Sequence, residues 1–118
     1  MKAYTDVELM FPVEGLDLTE INHPYLTFTQ KIIKPMYKEL VNSVTVSNIT
    51  IIDSAHFTAV LTQEQSSIFV EGEGEVQLNY FTSEGLRKAT EVATFDVGEQ
   101  LLKRAIHIGE NNDNTESI

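Results

Sequence analysis

Pro24-Tyr25-Leu26-Thr27-Phe28-Thr29-Gln30-Lys31-Ile32-Ile33-Lys34-Pro35-Met36-Tyr37-Lys38-Glu39-Leu40-Val41-Asn42-Ser43-Val44 is the stretch whose reading decides the fold. Two periods compete in it. Ile33, Met36 or Tyr37, Leu40 and Val44 recur at helical spacing, and Lys31, Lys34 and Lys38 share the opposite side. Asn22 can cap such a helix, and Pro24 fits its first turn. Pro35 works against it, because proline removes an internal hydrogen bond and disfavours helical geometry at Lys34. The rival is a strand from Tyr25 to Ile33, supported by Thr27 and Thr29, with a short helix starting at Pro35. A helix kinked at Pro35 is the preferred reading.

On either side of this stretch the pattern is extended. Ala3, Thr5, Val7, Leu9, Phe11 and Val13 alternate with Lys2, Tyr4, Asp6, Glu8, Met10 and Pro12, the period of a half-buried strand, and Pro12 marks it as an edge. Val44 to Ile52 is rich in β-branched residues, Asp53-Ser54 reads as a turn, and Ala55, Phe57, Ala59 and Leu61 alternate after it. Ile68 to Phe81 reads as one long alternation, followed by the hairpin loop Thr82–Gly85 and a return strand over residues 86–95. Gly98 to Ile106 reads as a short helix. The expectation is a single α+β domain over residues 1–108: an antiparallel sheet of about five strands against one Pro-kinked helix and a short C-terminal helix. Residues 109–118 hold three acids and read as a flexible acidic tail.

The formal net charge of −10 argues against direct binding to a phosphate backbone, which requires clustered Lys and Arg. No Lys or Arg occurs between Lys38 and Arg87, where Glu39, Asp53, Glu64, Glu71, Glu73, Glu75 and Glu84 all fall. If Val70–Val76 is extended, Glu71, Glu73 and Glu75 project from one face without a countercharge. Gly72 and Gly74 then lie on the inner face, leaving a gap that Tyr37 or Phe28 can fill.

Other motifs carry little chemistry. There is no cysteine, hence no disulfide or thiolate site. Asp53-Ser54-Ala55-His56 contains the letters of a catalytic triad, but no strained nucleophile elbow accompanies it, and a turn explains it better. His23, His56 and His107 lack metal-ligand spacing. No apolar run approaches membrane-spanning length, and a cytoplasmic location is expected.

These features lead to an expectation of function without catalysis, cofactor or metal. Glu71, Glu73, Glu75 and Glu84 are the candidate residues that bind a basic protein or a nucleic-acid-binding protein. Such a chain acts as an inhibitor or adaptor that imitates nucleic-acid charge. One alternative is a structural subunit of an assembly (virion, coat or tail component), a homo-oligomer that uses an open edge at the first strand. Another is a small-ligand-binding domain with a pocket near Gly72, Gly74 and His56.

Overall fold

The computed structural model describes residues 1–33 and 39–100. Its strands are β1 (Val7–Pro12), β2 (Asn22–Ile33), β3 (Glu39–Val46), β4 (Ile49–Asp53), β5 (His56–Leu61), β6 (Gly72–Phe81), β7 (Arg87–Ala89) and β8 (Ala93–Val97). Among the described residues, helical structure is limited to a 3-10 turn, Leu18–Glu20, and α1, the four residues Gln63–Ser66. Every strand pair is antiparallel. One sheet has the order β1-β5-β4; the other runs β3-β2-β6, with β7 and β8 both beside β6. Their inner faces pack together as a β-sandwich.

The preferred helix over Pro24–Val44 is therefore a misreading, and the α+β assignment falls with it. The stretch forms most of a long hairpin, β2 and β3, registered from Leu26↔Val46 to Ile33↔Glu39. Leu26 and Phe28 are buried while Thr27 and Thr29 lie on the outer face, where Thr27 bonds Thr45 and Thr29 bonds Ser43. The β-branched and hydroxyl content of the outer row thus outweighs the helical spacing of Ile33, Leu40 and Val44. Pro35 lies outside the described residues. Of the expected C-terminal helix, Gly98 instead bridges Lys2, Glu99 and Gln100 are not helical, and the remainder lies outside the described residues. The expected acidic tail, residues 109–118, also lies outside them.

The core is joined across the two sheets by phenylalanines. Phe57 of β5 stacks on Phe11 of β1, with ring centroids 5.2 Å apart, and Phe11 approaches Phe28 of β2 at 6.3 Å. Phe28 and Phe69 each meet the Phe95 ring edge-on, at 5.2 and 5.4 Å. Phe95 also explains Gly74, its partner in the β6–β8 register. A Cβ at position 74 would lie 2.6 Å from the Phe95 ring and 2.8 Å from the Thr29 carbonyl oxygen. The gap anticipated at Gly74 is thus filled by Phe95, and Tyr37 lies outside the described residues.

Connections are tied by side-chain hydrogen bonds. Ser66 is fully buried; its Oγ accepts from the Thr5 amide and donates to the Thr5 carbonyl, fastening the segment before β1 to α1. Thr62 and Gln65 form a reciprocal capping box on α1. Between β7 and β8, Thr90 keeps contact with β6. Its amide donates to the Leu78 carbonyl, and its Oγ1 accepts from the Leu78 amide.

Gly74→Ala should destabilise the protein by about 1–3 kcal/mol, the usual cost of overpacking a filled core. Trimming the facing ring with Phe95→Leu should make the same Gly74→Ala change less costly than in the parent protein. Urea melts of the four members of this cycle measure the coupling. Additive losses would show that Phe95 is not what Gly74 accommodates.

Candidate functional site

In β6 the buried residues are Gly74, Val76, Leu78 and Tyr80, so Glu73, Glu75, Gln77 and Asn79 point to the outer face. In β8 Phe95 and Val97 are buried, so Thr94 and Asp96 share that outer face. The register places Asp96 directly opposite Glu73, and Thr94 opposite Glu75. Like charges directly opposite each other on neighbouring strands repel and destabilise a sheet. Among the described residues the single ion pair is His56 with Asp53, so no Lys or Arg there forms an ion pair with Glu73, Glu75 or Asp96. Lys31 lies on the same outer face of β2, two residues beyond the Thr29↔Glu75 pair, and makes no ion pair with them.

The four candidate glutamates are not one row. Glu73 and Glu75 occupy alternate outer positions of an extended strand, as anticipated. Glu71 precedes the strand at a bend, and Gly72 after it has φ +139°, a conformation that favours glycine. This bend shifts the phase of alternation. Before it Phe69 is buried and Val70 exposed; after it Gly74 is buried and Glu73 exposed. The single alternation expected over Ile68–Phe81 is therefore two segments. Glu84 sits exposed in the β6–β7 hairpin turn, beyond the opposite end of β6 from Glu73. Asp96 was not among the sequence candidates. The apolar alternation Phe95, Val97 flanking it was the available signal, had the return strand been continued past Phe95.

Gln30 sets where the chain enters this site. Its side chain is 2% exposed on the inner face of β2. Its Nε2 donates to the Val70 carbonyl at 2.8 Å, and its Oε1 accepts from the Val70 amide at 3.0 Å. One side-chain amide thereby replaces a strand's backbone as partner to Val70. Asn42 of β3 donates to the Ile68 carbonyl at 2.7 Å. Together they hold the 68–70 segment against the β2–β3 hairpin and fix the approach to Glu71.

The Asp53–His56 turn is structural in form. Asp53 Oδ1 accepts from the Ala55 amide and contacts His56 Nδ1, both at 2.8 Å, closing the β4–β5 turn. The Ser54 carbonyl accepts from the Leu18 amide, and its hydroxyl has no hydrogen-bond partner among the described residues. The Ala55 amide, followed by the His56 ring, holds the Asp53 carboxyl below its ordinary range. His23 stands at φ +49° in a β-bulge of β2, with its ring edge-on to Phe81. His107 lies outside the described residues. No three His, Asp or Glu side chains among the described residues gather as a metal site would require.

Gly72, Gly74 and His56 line neither of two clefts among the described residues, one of which, of about 420 Å³, runs along Phe69, Val70 and Glu71. The position at Gly74 is filled, as above. The other cleft, of about 590 Å³, opens between the segment after β1 and the Ala89–Ala93 side of β6. Phe11, Leu26, Phe57 and Tyr80 line it, with Glu14 and Glu91 among its polar residues. No helix among the described residues is long and apolar enough to cross a membrane.

No family model, no curated protein and no solved structure matches this chain.

Two outcomes are expected from this geometry. Gln30→Ala should strip the Val70 amide of its partner, so hydrogen exchange at Val70 should accelerate well before global unfolding. Equal protection of Val70 in the two proteins would contradict the clamp. A lowered Asp53 pKa means that its stabilisation is complete above the ordinary carboxylate pKa and is lost as pH falls through the folded value. The difference in melting temperature between the parent and Asp53→Asn should therefore be largest at neutral pH and close in acid. A difference independent of pH between 7 and 2 would deny the charge a role.

Proposed function

We propose that the chain is a non-catalytic binding module whose acidic sheet surface docks a basic region of another macromolecule. The observation that carries this reading is the Glu73, Glu75 and Asp96 cluster: three exposed carboxylates on two adjacent strands, unpaired among the described residues, with two of them directly opposed. Packing requires those positions to face outward but does not require them to be acidic. Their mutual repulsion is relieved by a partner that brings cationic groups to the same place.

The partner's chemistry follows from the layout. Glu73 and Glu75 lie about 7 Å apart along one strand, from two rises of roughly 3.4 Å, and Asp96 lies one strand away. A Lys- or Arg-rich surface suits them, including one that ordinarily holds nucleic acid. Glu71 adds a fourth negative charge at the end where β6 begins. Glu84, at the other end of the strand, falls outside the surface. A run of outer-face hydroxyls, Thr27, Thr29, Ser43 and Thr45, continues from the carboxylates across β2 and β3 and offers neutral hydrogen bonding.

The combined variant Glu73→Gln, Glu75→Gln, Asp96→Asn should keep or slightly raise the melting temperature, because it removes repulsion. At low salt it should slow association with a decalysine peptide by about tenfold, an effect that shrinks above 0.3 M NaCl as screening takes over. A control with the same loss of charge elsewhere, Glu8→Gln, Glu84→Gln, Glu91→Gln, should change the rate much less. Equal slowing in both variants would reduce the effect to net charge and remove the site. Capture of host proteins by the parent and by the first variant, at low and high salt, then isolates the partner.

A further inference from the structure

Among the described residues, every exposed strand edge except β3 is shortened, covered, or interrupted by proline or by charge within or at the end of its pairing row. β1 carries Glu8 and ends in Pro12. β4 is five residues long, ends in Asp53, and has the 3-10 turn beside it. β7 has three residues, two of them Arg87 and Lys88. Along β8 the Met1 ammonium donates to the Asp96 carbonyl, and the Gly98 amide donates to the Met1 carbonyl. β3 has only a single charge, Glu39, at its first position.

β3 is eight residues long and contains no proline or glycine, and only Glu39 at its start is charged. β2 pairs one side of it from Glu39 to Val46, and no strand among the described residues pairs its other side. Alternate residues of such an edge direct their N–H and C=O groups outward. Leu40 and Val41 are 44% and 50% exposed there. In a chain of net charge −10, a seven-residue neutral edge is the place where two copies can meet without bringing carboxylates together.

We propose that β3 is a self-association edge: it pairs antiparallel with β3 of a second copy and joins the two larger sheets into one. The pairing is two-fold, with the axis normal to the sheet passing at Asn42 or Ser43. With the axis at Asn42, Val41 faces Ser43 of the second copy, Leu40 faces Val44, and Glu39 faces Thr45. With the axis at Ser43, Val41 faces Thr45, Asn42 faces Val44, and Glu39 lies past the paired residues. In both registers the glutamates avoid each other. An axis normal to the sheet also keeps the two acidic clusters on the same side of the dimer, so one partner could meet both. The proposal stands on the edge alone and does not depend on the acidic surface having a partner.

Sedimentation equilibrium from micromolar to millimolar protein tests it. The mass should rise from one chain to two with concentration, and 0.5 M NaCl should tighten the dimer, because salt screens the repulsion between acidic copies. This is opposite to the salt response of docking to a basic partner, so failure of either proposal can be told from failure of the other. Ser43→Glu and Ser43→Lys each place like charges across the axis, and both should raise the dissociation constant by at least about tenfold. A single-chain mass throughout, or a dimer that one of these substitutions weakens and the other strengthens, or one that neither affects, would overturn the proposal. Should either variant melt below the parent, hydrogen exchange in the parent decides instead. Residues 40–46 should gain protection as its concentration rises, and constant protection would refute the pairing.

Discussion

The Phe95 ring occupies the volume that a side chain at position 74 would need, and much of the sandwich follows from that contact. Phe95 meets Phe28 and Phe69 edge-on, and Phe28 in turn meets Phe11 on the opposite sheet. A strand interior ordinarily loses stability at glycine, which has more backbone freedom to surrender and no side chain to pack. Here the missing side chain admits a ring, and the burial of that ring offsets the loss. The same contact holds β8 in register with β6. A slip of one residue would turn Phe95 and Val97 to solvent and bring Asp96 inside, so the register is strongly specified.

That register has an electrostatic consequence. Burying Phe95 and Val97 forces Asp96 outward, and burying Gly74 and Val76 does the same to Glu73 and Glu75. The carboxylates therefore become neighbours because of the core beneath them, not because of attraction at the surface. Core packing would be equally well served by threonine, as at Thr27, Thr29 and Thr94. Residue type at these positions is thus free of the fold's demands, and acid there costs stability. A protein merely in need of solubility could spread the same charges without opposing two of them.

How far the sequence discloses this arrangement depends on the period each segment carries. β1 from Val7 onward, β5 and most of β6 alternate cleanly and are legible, as is the turn at Asp53-Ser54, whereas the alternation read back to Ala3 falls on a turn. β2 is not legible, because its inner row reads Leu26, Phe28, Gln30, and the polar third member breaks the pattern at the point where a strand needs it. Gln30 is buried because it bonds both backbone groups of Val70, forty residues away, and no local pattern reveals such a partner. The helical spacing of Ile33, Leu40 and Val44 filled the void left by that break. The bend at Gly72 had a similar effect: it reverses the alternation phase, so a single period drawn through residues 68–81 put Glu71 in the wrong row. Of the acidic cluster, Glu73 and Glu75 were readable from their own strand. Asp96 required knowing that the return strand is interrupted near Thr90 and resumes beside the first half of β6.

Strand order then segregates charge across the larger sheet. β6 and β8, with the acidic residues, lie on one side of β2, and β3 lies on the other. Between them the outer face is hydroxyl-bearing apart from Lys31 near one end of β2, and the hydrogen bonds Thr27–Thr45 and Thr29–Ser43 cross-link β2 to β3 without charge. The repulsion that an acidic chain exerts on its own copies falls off with distance and is screened within roughly 8 Å at physiological salt. With two strand spacings of about 4.8 Å between β3 and β6, the outer edge of β3 lies beyond that range from Glu73 and Glu75. The acidic surface and the neutral edge can therefore coexist on one sheet, each acting at its own border with little interference from the other.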